Sequence, residues 1–253
     1  MSVLDGRIAL VTGGGRGIGR AVALALASSG AAVAVTGRDA ARLGAVCDEI
    51  AAGGGVALAL QCDVAEAPAV AQAFARASER LGPIDILVNN AGITASVKFA
   101  EMDDATWDRI MRVNAAGPFY CCRAAVPDMI AGGWGRIINI ASYAGLSGIA
   151  YSSAYSASKH ALIGLTRSLA LELGRAGVRA NAICPGWVET DMVHDAVANI
   201  VAKTGRAEAD ARASMLALAG QQRMIAPEEV AAVALRLAGP AGDAVNGQAL
   251  TIE

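Results

Sequence analysis

The sequence predicts a single α/β domain built on a doubly wound parallel sheet with helices on both faces. Two observations lead to this prediction. Short apolar segments alternate with Ala-rich helical segments along the chain, and most apolar segments end at a glycine or a polar residue. This alternation is typical of parallel sheets covered on both faces. The length of 253 residues agrees with one large domain, because single cores grow to about 250–300 residues.

Six predicted strands are apolar almost without interruption, as expected of strands buried on both faces. They span residues 8–12, 32–36, 84–88, 136–140, 179–183 and 248–252. Helical patterns lie between them at about 18–29, 39–52, 67–80, 104–131, 154–176 and 227–239. Ligands of such sheets bind beyond the carboxyl ends of the strands. The residues that directly follow each strand are therefore the candidates for function.

One segment, residues 189–223, departs from this alternation because it is helical in composition but contains no strand. An insertion at this point would project over the strand ends. We therefore predict a substrate lid at 189–223, within a single dinucleotide-binding and catalytic domain that spans 1–253. The alternative is a helix that packs at a subunit surface.

Composition excludes several classes of function. The net charge is −2 and no basic block is present, which argues against nucleic-acid binding. Five cysteines without a CxxC spacing and only two histidines predict neither a zinc site nor a disulfide framework. The N-terminus lacks the features of a signal peptide, and the longest uncharged segment, 21–37, is too short and too polar to span a membrane. We expect a soluble, cytoplasmic protein that binds neither metal nor membrane.

A glycine-rich turn follows the first predicted strand. Its glycines are spaced as GxxxGxG and open a helix, which brings backbone N–H groups close to a bound pyrophosphate. The turn contains Gly13, Gly15, Arg16, Gly17, Ile18 and Gly19. We predict a dinucleotide site of the Rossmann type here; a tight turn without a ligand is the alternative.

The end of the second strand indicates which cofactor binds. Enzymes that use NAD usually carry an acidic residue near this point, which binds the ribose 2′-hydroxyl. Here Gly37 takes that place and Arg38 follows it, with Arg16 in the neighbouring turn. Two guanidinium groups suit a 2′-phosphate, so we predict NADP(H), with NAD(H) as a possible cofactor. The alternative is that both arginines are ordinary surface charges.

Tyr155 and Lys159 are four residues apart in a predicted helix, so their side chains share one face. A nearby cation favours the phenolate, and we expect it to lower the pKa of Tyr155. A tyrosine of this kind serves as a general acid or base. Ser142 directly follows a predicted strand, which places its hydroxyl where it can share a substrate oxygen with Tyr155.

Together these motifs resemble the short-chain dehydrogenase/reductase family, including its 3-oxoacyl-thioester reductases, or ketoreductases. The resemblance extends over residues 7–252. It rests on the glycine turn, Cys62-Asp63-Val64, Asn89-Asn90-Ala91-Gly92, Asn114, Ser142, Tyr155, Lys159 and Pro185-Gly186.

The resemblance implies a catalytic tetrad of Asn114, Ser142, Tyr155 and Lys159. In it, Tyr155 is the acid/base and Ser142 holds the carbonyl oxygen. Lys159 binds the nicotinamide ribose, and Asn114 anchors the water of a proton relay. The resemblance also implies cofactor contacts from residues that follow later strands: Asp63 and Val64 at the adenine, Asn90, Ala91 and Gly92 beside the ribose, Pro185 and Gly186, and Val188 and Thr190 at the nicotinamide amide.

Two departures from the family pattern bear on substrate and assembly. Members that act on acyl carrier protein commonly carry basic residues where this chain has residues 129–135 and Leu171, which favours coenzyme A thioesters or free ketones as substrates. The family often ends in Asp-Gly-Gly and a short tail that packs at a subunit interface, whereas here Glu253 closes the chain. The resemblance still implies a homotetramer.

We therefore predict an NADP(H)-dependent oxidoreductase that acts on a ketone or secondary alcohol. Two alternatives remain: an NAD-dependent secondary-alcohol dehydrogenase, and a non-catalytic nucleotide-binding sensor. A sensor has no need for Tyr155 together with Lys159.

Overall fold

A seven-stranded sheet forms the centre of the protein. The structure is a computed structural model that describes residues 2–252. All six strand pairs are parallel. The strands are β1 (Ile8–Thr12), β2 (Ala32–Gly37), β3 (Ala57–Gln61), β4 (Ile86–Asn89), β5 (Gly135–Ile140), β6 (Val178–Pro185) and β7 (Ala249–Ile252). Their order in the sheet is β3-β2-β1-β4-β5-β6-β7.

The helices lie on both faces of this sheet. They are α1 (Gly17–Ser28), α2 (Ala40–Ala52), α3 (Ala67–Leu81), α4 (Asp104–Met111), α5 (Gly117–Ala131), α6 (Ser153–Leu173), α7 (Asp191–Thr204), α8 (Glu208–Ala219) and α9 (Pro227–Ala238). One core cluster joins α1, α2 and α9 to the sheet, and a second joins α3, α5 and α6 to its opposite face. The predicted doubly wound fold is confirmed.

Alternate residues of a strand enter opposite cores. In β1, Ala9 and Val11 belong to the cluster under α1, whereas Leu10 belongs to the cluster under α3 and α5. Burial on both faces explains why the strand is apolar throughout. Because all the strand pairs are parallel, the carboxyl ends of the strands lie at one edge of the sheet.

The structure corrects the sequence-based assignment at two places. Strand β3 was missing from the prediction; it pairs only with β2 at the sheet edge, and its residues are less uniformly buried. The predicted helix at 104–131 is in fact α4, a π-helical turn (Arg112–Ala116) and α5. The other predicted ends differ by only a few residues, which is the usual uncertainty of helix and strand ends.

The segment 189–223 contains α7 and α8, which pack on each other through Val193, Val197, Ala211 and Met215. The indole N–H of Trp187 donates to the carbonyl oxygen of Met215 at 2.9 Å and so attaches α8 to the end of β6. Among the described residues, no helix combines the length and apolar character that crossing a membrane requires. Within residues 2–252 no cluster of three or more potential metal ligands occurs.

Candidate active site

The glycine turn between β1 and α1 depends on the absence of side chains. Gly13 and Gly17 have φ values of +63° and +50°, a region that favours glycine. A Cβ atom on Gly13 would lie 2.9 Å from the amide nitrogen of Asn90. The turn therefore keeps its backbone open at the N-terminus of α1, where N–H groups favour a bound phosphate.

Thr12 holds the glycine turn against the end of β4. Its hydroxyl accepts hydrogen bonds from the backbone N–H groups of Asn90 and Ala91, each at 3.0 Å. The side-chain amide of Asn90 donates in return to the carbonyl oxygens of Thr12, at 2.9 Å, and Gly13, at 3.1 Å. Thr12 was not among the predicted site residues, although a polar residue at the end of an apolar strand was the signal for it.

Asn114 lies in the π-helical turn between α4 and α5 and is 1% exposed. Its side chain bonds both backbone groups of Ile93, accepting from the N–H at 2.9 Å and donating to the carbonyl oxygen at 2.8 Å. It also donates to the hydroxyl of Ser158 at 3.0 Å. Such π-turns occur frequently at functional sites, and this one fixes the loop after β4 against α6.

Lys159 and Tyr155 extend from α6 toward the ends of β4 and β5. The Lys159 ammonium is buried, donates to the carbonyl oxygen of Ile140 at 2.8 Å and lies 5.6 Å from the centre of the Tyr155 ring. A Cβ atom on Gly92 would be 3.4 Å from Asn114 Oδ1 and 3.6 Å from Lys159 Nζ. The predicted tetrad residues Asn114 and Lys159 therefore converge beside Gly92, and Tyr155 lies next to Lys159.

Ser142 lies directly after β5, as the sequence predicts. Its hydroxyl accepts from the backbone N–H of Ala144 at 3.1 Å, which holds the short turn at the end of the strand. The same hydroxyl is close enough to Tyr155 to affect its ionisation. The fourth residue of the predicted tetrad therefore lies beside the tyrosine.

The pKa values of Lys159 and Tyr155 are both shifted by burial. Burial lowers the pKa of Lys159 to about 8. Burial raises the pKa of Tyr155, and the hydrogen bond with Ser142 opposes this only in part. The expected lowering of the Tyr155 pKa is wrong for this structure, because desolvation of the phenolate outweighs the opposing hydrogen bond with Ser142.

Three of the predicted residues that follow β6 have defined contacts, and one of them borders the glycine turn. Thr190 faces it, since its methyl group would be 3.1 Å from a Cβ atom on Gly17. Val188 forms an isolated parallel bridge with Ile225. The backbone N–H of Gly186 donates to the carbonyl oxygen of Ile252 at 3.1 Å, just after the residue pair that joins Pro185 to β7.

The residues predicted at the adenine have structural partners as well. The Asp63 carboxylate accepts from the backbone N–H of Ala65 at 3.0 Å, in the turn before α3. Val64 is buried, and its side chain would be 3.0 Å from a Cβ atom on Gly117 at the start of α5. Both residues follow β3, at the same edge of the sheet as the glycine turn.

The two predicted arginines have different surroundings. Arg38 is exposed and forms no ion pair with the described residues. Arg16 Nη1 contacts the Asp191 carboxylate at 2.8 Å, and Arg42 Nη1 contacts the same oxygen at 3.3 Å. Arg42 and Asp191 were missed because contacts across 149 and 175 residues have no local signal in the sequence.

Known proteins resemble the chain over most of its length. The model of the family described as short chain dehydrogenase matches residues 7–200. The chain is 38% identical to a D-beta-hydroxybutyrate dehydrogenase of Rhizobium meliloti, over 98% of this chain and 97% of the relative. It is 39% identical to a 3-oxoacyl-[acyl-carrier-protein] reductase of Synechocystis, over 100% of this chain and 98% of the relative.

A solved structure is also similar over the whole chain. It is a variant of actinorhodin polyketide ketoreductase with NADPH, which superposes with a TM-score of 0.94 at 37% identity, covering 100% of this chain and 97% of that one. The protein is an oxidoreductase that acts on CH–OH or C=O groups. It belongs to the short-chain dehydrogenase/reductase family.

Proposed function

We propose that the protein is an NADP(H)-dependent oxidoreductase that interconverts a ketone and the corresponding secondary alcohol. The observation that supports this most is the convergence of Asn114 and Lys159 beside Gly92, with Tyr155 next to Lys159. The glycine turn, open at the N-terminus of α1, lies at the same edge of the sheet. A nucleotide sensor needs the turn but not the convergence.

The turn fits a dinucleotide because its glycines leave room for phosphate against the backbone. Residues 13 and 15–19 would hold the pyrophosphate, and the residues that follow β3, β4 and β6 would hold the adenine, ribose and nicotinamide. These are Asp63, Val64, Asn90, Ala91, Gly92, Pro185, Gly186, Val188 and Thr190. When bound, NADP(H) supplies or accepts the hydride.

Tyr155 moves the proton in this proposal. Because burial raises its pKa, Tyr155 carries its proton at neutral pH and donates it to the carbonyl oxygen during reduction. Ser142 holds that oxygen, and the Lys159 cation binds the nicotinamide ribose and stabilises the phenolate that is left. Asn114 fixes Ile93 and Ser158 and would anchor the water that returns a proton to Tyr155.

NADP(H) rather than NAD(H) is supported by the end of β2. Gly37 is the last residue of this strand and carries no carboxylate that would repel a 2′-phosphate. Arg38 follows as an exposed cation without an ion pair among the described residues. The ketoreductase neighbour was solved with NADPH. NAD(H) is the alternative cofactor.

For the substrate we propose a free ketone or a 3-oxoacyl-coenzyme A thioester rather than a carrier-bound acyl chain. Leu171 is 87% exposed and offers no charge to an acidic carrier. The α7–α8 segment would cover the substrate as a lid. Exposed Phe119 and Ile130 on α5, with Leu171 on α6, supply apolar surface for a homotetramer. The five free thiols fit the reducing cytoplasm that we propose as its location.

The test is a panel of activated ketones and 3-oxoacyl-coenzyme A thioesters with NADPH and NADH, followed at 340 nm, the absorbance of the reduced nicotinamide. Turnover with NADPH on at least one compound is expected. Cofactor binding without turnover on any compound would favour the sensor. Light scattering at micromolar concentration tests the tetramer, and a monomer would contradict it.

A further inference from the structure

Three charged side chains meet at the outer rim of the glycine turn. Arg16 belongs to the turn, Arg42 to the first turn of α2, and Asp191 is the first residue of α7. Both guanidinium groups contact the same carboxylate oxygen of Asp191, at 2.8 and 3.3 Å. Arg42 also lies 3.4 Å from the Asp39 carboxylate. We refer to Arg16, Arg42 and Asp191 as the rim bridge.

The rim bridge lies where the proposed cofactor would carry negative charge. The Cβ of Arg42 would be 3.2 Å from a Cβ atom on Gly15, and Thr190, the neighbour of Asp191, faces Gly17. Two guanidinium groups that converge on one anionic oxygen form the arrangement that binds phosphate well. The Asp191 carboxylate thus occupies a position that a phosphate oxygen would favour.

The identity of that phosphate follows from the place of Arg42. In sheets of this kind, residues directly after the second strand contact the adenosine ribose at its 2′ position. Arg42 is five residues beyond Gly37, the end of β2. The 2′-phosphate is therefore the cofactor group expected near Arg42, whereas the pyrophosphate lies over the glycines.

The rim bridge is weak enough to be replaced. Its side chains are 60%, 50% and 51% exposed for Arg16, Arg42 and Asp191, and ion pairs this exposed contribute little to stability. A hydrogen bond from Arg16 lowers the pKa of Asp191, so the carboxylate is ionised at neutral pH. A phosphate dianion provides more charge to the same two guanidinium groups.

We infer that Asp191 competes with the 2′-phosphate of NADP(H) for Arg16 and Arg42, and that Arg42 is a further residue that determines cofactor specificity. This inference rests on the proposed function. Binding of NADP(H) would release the first residue of α7 from the glycine turn, whereas NAD(H), which lacks the 2′-phosphate, would leave the rim bridge in place.

The test measures binding of NADPH and NADH by nucleotide fluorescence at low salt, without substrate. Asp191→Asn should tighten NADPH by about threefold, the equivalent of a weak ion pair, and leave NADH nearly unchanged. Asp195→Asn is the matched control: it removes the same charge from α7, at a residue that forms no ion pair with the described residues.

A second variant tests the arginine directly. Arg42→Gln should weaken NADPH by about threefold or more and leave NADH unchanged. Arg20→Gln is its control, because Arg20 is a partly exposed arginine of α1 that is paired with Glu49. An unchanged Kd for NADPH in both Asp191→Asn and Arg42→Gln, or equal changes for both cofactors, would overturn the inference. Failure of the wild type to bind either cofactor would instead overturn the proposed function.

Discussion

The two ends of the proposed cofactor site differ in how their polar and charged groups are held. At the inner end, Asn114 is 1% and Lys159 4% exposed, and both bond to backbone carbonyl oxygens at 2.8 Å. At the outer end, Arg16 and Asp191 have side chains that are 60% and 51% exposed and contact each other across 175 residues of sequence. The side chains at the inner end are therefore held in one arrangement, whereas the ion pair at the outer end can be replaced by another charged group.

This difference indicates which end of the site determines proton transfer and which end determines cofactor choice. Buried polar groups keep one arrangement because losing a partner leaves them unsatisfied, at a cost of about 1–3 kcal/mol. Exposed ion pairs are worth less and are screened by salt. We therefore propose that proton transfer belongs to the inner end, where we expect substitutions to have large effects. Cofactor choice belongs to the outer end, where substitutions have modest effects that depend on salt.

The largest effect is expected for Tyr155→Phe. The substitution removes only the transferable proton, so turnover should fall by about 10²–10⁴-fold, the usual contribution of general acid–base catalysis. NADPH binding, measured by fluorescence, should stay within about twofold of the wild type. If the variant retains more than about a tenth of the wild-type rate, Tyr155 is not the proton donor.

The pH profile tests Lys159. Its pKa of about 8 lies below the ordinary value, so the wild type should lose its cation, and activity, as the pH rises through about 8. Tyr155, whose pKa is raised, stays protonated over the same range. Since arginine remains charged above pH 12, Lys159→Arg should lack this alkaline decline in log kcat/KM, whatever its absolute rate. If this variant shows the same decline near pH 8, the decline arises from a group other than Lys159.

Substitutions at the end of β2 should have smaller effects, confined to cofactor choice. Arg38→Ala should remove most of an expected tenfold preference for NADPH, because one charge-assisted hydrogen bond contributes about 1.5–3 kcal/mol before solvent screening. Gly37→Asp should shift the preference toward NADH, since a carboxylate repels the 2′-phosphate. The ratio of kcat/KM values for the two cofactors measures both effects. If this ratio is unchanged in both variants, the residues at the end of β2 do not determine cofactor choice.

The sequence was most informative where the signal is local. The continuously apolar strands identified the doubly wound sheet, and the glycine turn was found because its spacing lies within one short segment. Strand β3 was missed because an edge strand is not buried uniformly on both faces. The π-helical turn at Asn114 was missed because it accompanies tertiary hydrogen bonds to Ile93 and Ser158.

Electrostatic properties of the site were harder to predict. Spacing places Tyr155 and Lys159 on one helix face but does not give the depth of burial that shifts both pKa values. The contacts of Arg16 and Arg42 with Asp191 depend on the tertiary packing that places the start of α7 beside the glycine turn. Residue types and spacing therefore predict which groups meet, whereas their charge states require the packed structure.

The division between the two ends is tested most directly by the salt dependence of cofactor choice in the wild type. The measurement is kcat/KM for NADPH and for NADH with one ketone substrate, at low and at high ionic strength. We expect NADPH to be preferred about tenfold or more at low salt. The preference should shrink as salt screens the exposed arginines, while kcat with either cofactor changes little. Equal or better kcat/KM with NADH at low salt would contradict both the cofactor assignment and the role of the outer end.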